Sequence, residues 1–299
     1  MTAPALRPYL WMLAGCLCFS AMVLLIRGAS ARQACDWQVQ AVARSGIAAV
    51  VAVAAAVATG APLTVLRPPV LWVRSLAGSA SMVATFYALD HLPGSEVLTL
   101  TNTFPVWVAV IVAGTGGERL TPGVWAAVGC AVVGVAVCQG GGVSGFGLPA
   151  VMALVAAVFT AVAMLGLNRV VGVSSLGIVA HFSTVATLVC AGCYFLFPRT
   201  TGNAGLADPL NAALVAGVGL TAVAGQMCLT KAFRTGPATR ISVVSLTQVV
   251  FTMAFEAAAG WRTLDAFALA GTALVLLPVG WLMTRRKPAP AVEPEVAIE

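Results

Sequence analysis

Six ionisable side chains stand within or at the edges of long apolar runs: Arg44, Arg74, Glu96, His181, Arg240 and Glu256. An ion at the centre of a lipid-spanning helix costs about 2.5–3.5 kcal/mol on insertion scales, so such groups face a cavity, pair with one another, or reach back to the interface. Glu256 lies four residues before Gly260, late in its run. A protonatable carboxylate there could couple movement of a solute to protons; the alternative is an interfacial carboxylate paired with Arg262. His181 could titrate near neutral pH, or serve as a hydrogen-bonded structural residue. Glu96 and Arg240 follow Pro93 and Pro237 by three residues each. Opposite charges at corresponding places could close two gates in turn. Alternatively, Glu96 suits the positive end of its own helix, and Arg240 can reach lipid phosphate. Arg44 and Arg74 sit a few residues into their runs, where snorkelling to the interface and facing a cavity are both open.

The uncharged polar groups form two sets. Tyr87, Thr99, Thr101, Asn102, Thr103 and Trp107 make one; Gln226, Thr230, Ser242, Ser245, Thr247 and Gln248 make the other. Pro105 frees a backbone carbonyl one turn before it and is expected to kink its helix close to Asn102. Freed backbone groups are tolerated at membrane depth only where protein or a water-filled cavity satisfies them. Tyr87, Asn102, Trp107, Gln226 and Gln248 are therefore candidates to line a substrate cavity. The competing reading is hydrogen bonding between helices, which the same residue types provide.

Enzyme chemistry finds no foothold. His91 and His181 are far apart in the sequence, and no His-Glu-x-x-His, Gly-x-Ser-x-Gly or phosphate-cradling glycine loop occurs. Cys190 and Cys193 form a Cys-x-x-Cys without a second pair or a histidine cluster, so a four-ligand zinc site is not expected. No catalytic residue, metal or cofactor is expected.

The elements that must carry these residues follow from composition. Of 299 residues, 60% are hydrophobic and 9% charged, against about 25% charged in soluble domains. Twenty-six charged side chains cannot cover a soluble body of this size. An integral membrane protein is the class that remains, with a span needing about 20 apolar residues. Apolar runs occupy 9–27, 39–59, 71–89, 95–113, 122–139, 147–167, 175–197, 210–231, 238–259 and 264–284, divided by Gly, Pro and charge. A lipoprotein box at Leu13-Ala14-Gly15-Cys16 is set aside because apolar chain continues beyond the cysteine. The first run is read as an uncleaved span.

With ten spans and a cytoplasmic N-terminus, Arg7, Arg67, Arg119, Arg169, Lys231, Arg234, Arg240, Arg285, Arg286 and Lys287 fall inside, and Arg27, Arg32, Arg199 and Arg262 outside. That bias satisfies the positive-inside rule and accounts for the formal charge of +6 without invoking nucleic acid. The partners expected are the lipid bilayer and a small-molecule substrate, with proton coupling open, in a monomer or homodimer. Abundant Ala and Gly suit close helix packing. Trp11, Trp37, Trp72, Trp125, Trp261 and Trp281 fall near span ends, as an interfacial belt requires.

An internal repeat organises the chain. Residues 86–103 align with a segment 144 positions later, matching Ala88 to Ala232, Pro93 to Pro237 and Thr103 to Thr247. Residues 11–25 align at a shift of 140, matching Met12 to Met152 and Phe19 to Phe159. Half of ten spans is five, and an odd number inverts the second copy in the membrane, a recurrent plan of secondary transporters.

The strings YALDHLPGSEV, LTNTFPVWVAV and GERLTPGVWAAVG, then AFRTGPATRIS and FEAAAGWRTLDAFALAGTALVL, carry a likeness to a known family. The chain resembles the EamA-like transporters of the drug/metabolite transporter superfamily. The resemblance implies an all-α integral membrane fold of ten transmembrane helices in two inverted five-helix repeats. Residues 1–141 would be the first repeat, 142–286 the second and 287–299 a cytoplasmic tail. It implies a secondary transporter in the inner (plasma) membrane with both termini cytoplasmic. That transporter would move a small metabolite, amino acid or drug-like compound, outward, by alternating access. A flippase of lipid-linked substrates and a non-transporting membrane scaffold are the rival functions. Similar proteins often carry Arg at the position of Arg44, which favours a cavity role there. One departure is visible: Gly260 is followed by Trp261, where the family pattern has Gly-Glu before the last span.

Overall fold

The computed structural model describes residues 3–64, 66, 68–92, 94–116, 120–140, 147–196 and 204–284. Pro93, Gly117, Glu118, Arg119, most of the expected joint near 140–142, Arg67, Arg199 and the expected tail lie outside that set. Apart from a short 3-10 turn at Ala204–Ala207, the described chain builds its regular structure from α-helices: α1 (Ala3–Ala31), α2 (Trp37–Ala58), α3 (Pro69–His91), α4 (Gly94–Thr101), α5 (Phe104–Gly114), α6 (Pro122–Cys138), α7 (Leu148–Arg169), α8 (Ser175–Leu196), α9 (Pro209–Thr235), α10 (Ala238–Ser245), α11 (Thr247–Ala258) and α12 (Ala266–Thr284). Eight segments among the described residues are long and apolar enough to cross a membrane, with α4–α5 and α10–α11 each counting as one. Helix α6 is shorter, at 17 residues. Helix α3 has the length, 23 residues, but is diluted by Arg74, Ser75, Ser79, Ser81 and Thr85.

Two apolar runs thus become broken helices. The first breaks at Asn102–Thr103, two residues before Pro105, whose ring cannot supply the amide that would continue the ladder. The second breaks at Leu246 with no proline nearby. Side chains satisfy the carbonyls around both breaks. Asn102 Nδ2 donates to Leu98 O at 2.7 Å and Thr103 Oγ1 to Leu100 O at 2.6 Å. Thr247 Oγ1 donates to Val244 O at 2.8 Å. Helix α1 contributes as well: Ser20 Oγ donates to Gln248 O at 3.0 Å, and Cys16 Sγ reaches Ser245 O at 3.4 Å. These are the satisfied polar groups that a break at membrane depth demands.

The principal pairings are α1 with α9, α3 with α7, α2 with α8, and α6 with α12. Exchanging α1, α2, α3 and α6 for α7, α8, α9 and α12 maps this set onto itself. Small residues set the spacing between helices. Gly134 of α6 and Gly271 of α12 are packed backbone to backbone: a Cβ on Gly271 would stand 2.6 Å from Cys138 N and 2.7 Å from Gly134 O. Only glycine permits that approach, and close backbones supply the dispersion contact that binds helices where no hydrophobic force does.

Candidate functional site

A cavity of about 420 Å³ opens between α1, α4, the end of α6, and α11. Its deep wall is formed by Asn102 and Gln248, which flank the two helix breaks, with Leu98, Val249 and Thr252 beside them. Its mouth carries Arg27, Ser95, Gln139, Glu256 and Arg262. Glu256 is the hub. Arg27 Nη1 is ion-paired with one carboxylate oxygen, and Arg262 Nη1 lies 3.8 Å from the other. The Arg27 guanidinium also stands 5.5 Å from the Trp261 ring centroid, a cation–π arrangement. Arg262 donates onward to Gln139 Oε1 at 3.3 Å and to the Cys138 carbonyl that ends α6. One carboxylate therefore ties α11 to α1 and, through Arg262, to α6.

Of the residues singled out in the sequence, the cavity gathers Asn102, Gln248 and Glu256. Others stand elsewhere. Trp107 is 36% exposed on α5, outside the cavity lining. Tyr87 stacks on His91 at the end of α3, with ring centroids 4.4 Å apart. Glu96 is buried one residue from Ser95, and Arg240 is buried in α10. Half-buried Arg44 points its Nη1 at Met82 Sδ, 2.9 Å away. The Glu256–Arg262 pairing considered from the sequence is present, and Arg27 joins it. Arg27 and Gln139 were not singled out, because charge and amide at a span end are ordinary in any membrane protein. The available signal was Arg27's place among the few exceptions to the positive-inside bias.

A second polar cluster lies between α3, α7, α8 and α9. Arg74 does not snorkel: it is 0% exposed. Its Nη2 donates to Gln226 Oε1 at 3.1 Å, and its guanidinium carbon lies 3.7 Å from the Phe182 ring centroid. Ser75 Oγ and His181 Nδ1 share a hydrogen bond of 2.8 Å, and Trp72 meets His181 edge-on at 4.8 Å. Gln226 thus serves Arg74 and is absent from the lining of the first cavity. Trp72, in the first turn of α3, packs its ring edge-on against His181.

The arrangement of two broken helices, a polar cavity at their breaks and a charged mouth agrees with what comparison to known proteins finds. The EamA-like transporter family matches residues 6–138. That segment is an EamA-like transporter domain. The pseudopaline exporter CntI of Pseudomonas aeruginosa, from strains UCBPP-PA14 and PAO1, is 29% identical over 220 residues, covering 70% of this chain and 72% of the exporter. A crystal structure of another protein superposes with a TM-score of 0.80 at 22% identity, covering 93% of this chain and 96% of that one. That likeness speaks for the fold. The chain is thus similar to exporters of the drug/metabolite type, and eight of its described segments are long and apolar enough to cross a membrane.

Proposed function

We propose that the protein is an exporter of a small metabolite, amino acid or drug-like compound in the inner (plasma) membrane. On this reading it works by alternating access between two inverted halves of five spans each, residues 1–141 and 142–286. The ten spans are α1, α2, α3, α4–α5, α6, α7, α8, α9, α10–α11 and α12. The observation that carries the reading is the cavity itself: it ends at the breaks of α4–α5 and α10–α11, the corresponding spans of the two halves, and its mouth is rimmed by Glu256, Arg27 and Arg262. Counting spans from a cytoplasmic N-terminus puts the end of α1, the start of α4, the end of α6, the end of α11 and the α11–α12 loop on one face, the outside. All five mouth residues belong to those elements.

The repeat supplies further support, since matched residues of the two halves have different surroundings. Ser95 and Leu98 line the cavity, whereas Thr239 and Ser242, 144 positions later, are buried. An open chamber on one face and a packed equivalent on the other is what a rocking pair of repeats presents in one of its two states. The relative named as an exporter supports outward movement.

The test is flux in proteoliposomes under an imposed proton gradient, with a panel of amino acids, nucleosides and cationic dyes. Gradient-dependent flux that is lost in Glu256→Gln supports proton coupling through this carboxylate. Flux indifferent to both gradient and substitution sinks coupling and leaves a facilitator. Absence of flux for every soluble and lipid-linked compound tried favours the scaffold.

A further inference from the structure

We infer that Arg74 is a binding site for the carboxylate of the transported solute, a site distinct from the Glu256 cavity. The inference rests on the transporter reading above and adds a substrate class to it. Arg74 is fully buried, and its Nε and Nη1 have no hydrogen-bond partner among the described residues. A guanidinium offers five N–H donors in a planar fork, and here one is used, from Nη2 to Gln226. The two hydrogens of Nη2 lie on different edges of the plane. Whichever one Gln226 takes, the other edge keeps two parallel N–H groups, from Nη1 and Nη2 or from Nε and Nη2. Two parallel donors are the match for the two oxygens of one carboxylate.

Among the described residues the guanidinium engages Gln226 and the Phe182 ring and no carboxylate. Phe182 covers one face of the guanidinium plane at 3.7 Å, which leaves the edges as the approach for an anion. Among the described residues, the ion pairs of Glu256 and Asp208 are with Arg27, Arg262 and Arg32, not Arg74. A buried cation without a counter-ion is among the costliest arrangements a bundle can hold, so its retention points to an anion that arrives. The slot is shaped for the side chain: a Cβ on Gly166 would stand 3.0 Å from Arg74 Cβ, and one on Gly78 would stand 2.8 Å from the Phe182 ring and 3.1 Å from Nη1. One helical turn beyond Gln226 on α9, Thr230 is 0% exposed with its hydroxyl likewise unpartnered. It is a neutral donor for the remainder of the same solute. A single arginine fits one monoanionic carboxylate better than a phosphate, which calls for more positive charge.

The site lies in the half of the bundle opposite the open mouth. In the span count above, Arg74 is near the cytoplasmic start of α3 and Gln226 late in α9. An exporter takes its solute from that side, so Arg74 would meet the carboxylate when the cytoplasmic half opens.

Thermal unfolding of the purified protein in detergent provides the first test, using benzoate beside benzamide, succinate beside succinamide, and L-phenylalanine beside L-phenylalaninamide. The expected result is that at least one acid raises the melting midpoint by several degrees while its amide does not. Arg74→Met should abolish the shift, and Arg74→Lys, which keeps the charge but loses the fork, should weaken binding about tenfold. Arg74→Lys keeps the inference falsifiable if Arg74→Met does not fold, since acid binding as tight as in the unsubstituted protein would overturn the site. Equal shifts for acids and amides, a shift that survives Arg74→Met, or no shift from any acid overturns the site. Flux of the same compounds in proteoliposomes separates the two readings. Arg74-dependent binding without flux leaves the site and removes the transporter, whereas flux indifferent to Arg74→Met and to amidation leaves the transporter and removes the site.

Discussion

Glu256 shares one carboxylate between two guanidinium groups, and the three side chains differ in burial: 12% exposed for Glu256, 50% for Arg27 and 27% for Arg262. The half-exposed Arg27 pair belongs to the class worth about 0–1 kcal/mol. Arg27→Gln should therefore lower the melting midpoint by no more than about 3 °C. Glu256→Gln is different in kind, since it leaves two cations facing one neutral amide. It should cost about 1–2 kcal/mol, below the 3–5 kcal/mol of a fully buried broken pair because water reaches both arginines. Equal midpoints for the two variants in a detergent melt would sink the hub role of Glu256. At this scale the site was legible where a polar side chain interrupts an apolar run, as with Asn102, Gln248 and Glu256. It was not legible at Arg27 and Gln139, because a polar residue at a span end looks the same whether it meets lipid headgroups or a cavity. Arg74 was visible as a charge, but its depth was not: the sequence carries no trace of the Phe182 ring and glycine slot that hold it inward.

Among elements, the two broken helices and the α6–α12 pair show how different physical causes leave different marks. The α4–α5 break is written into the chain by Pro105, whereas the α10–α11 break at Leu246 has no such residue. There α1 meets the backbone on both sides of the break, Cys16 at the Ser245 carbonyl and Ser20 at the Gln248 carbonyl, a tertiary cause that no local pattern records. Glycine is equally ambiguous in sequence. Helices α6 and α12 each contain glycines with nothing within 4 Å of an added Cβ, Gly129 and Gly280, alongside the buried Gly134–Gly271 contact. Gly271→Ala would drive its Cβ to 2.6 Å from Cys138 N, and overpacking of this kind costs about 1–3 kcal/mol. Gly129→Ala and Gly280→Ala should instead be neutral or stabilising by up to about 1 kcal/mol through helix propensity. Melting midpoints of the three variants decide the matter, and a Gly271→Ala protein as stable as Gly129→Ala would show that the α6–α12 contact is not tight.

For the whole molecule, the arginines that the proposed topology puts outside and the asymmetry between halves belong together. Arg27 and Arg262 share Glu256, and Arg32 pairs with Asp208 at 2.8 Å. The Asp208 carboxyl is held below its usual range by the Leu210 amide and then by Arg32. Three cations thus face two carboxylates, so most but not all of their charge is offset locally. The same face holds the open cavity. If the two halves are alternating copies, matched positions must differ in access within one state and exchange in the other. Leu98 lines the cavity, and Ser242, its counterpart 144 positions on, is fully buried. In a background with the native thiols replaced, a cysteine at Leu98→Cys should react with a membrane-impermeant maleimide applied to the outside of right-side-out vesicles, and one at Ser242→Cys should not. Opening the vesicles should expose Ser242→Cys to reagent from the cytoplasmic face, with a rate that rises as labelling of Leu98→Cys falls when a transported solute shifts the population between states. Ser242→Cys labelling from outside as fast as Leu98→Cys would place both on one open face and defeat the inverted arrangement. Labelling of Leu98→Cys only from the cytoplasmic side would reverse the orientation and make the cavity an entry chamber for solute from the cell interior.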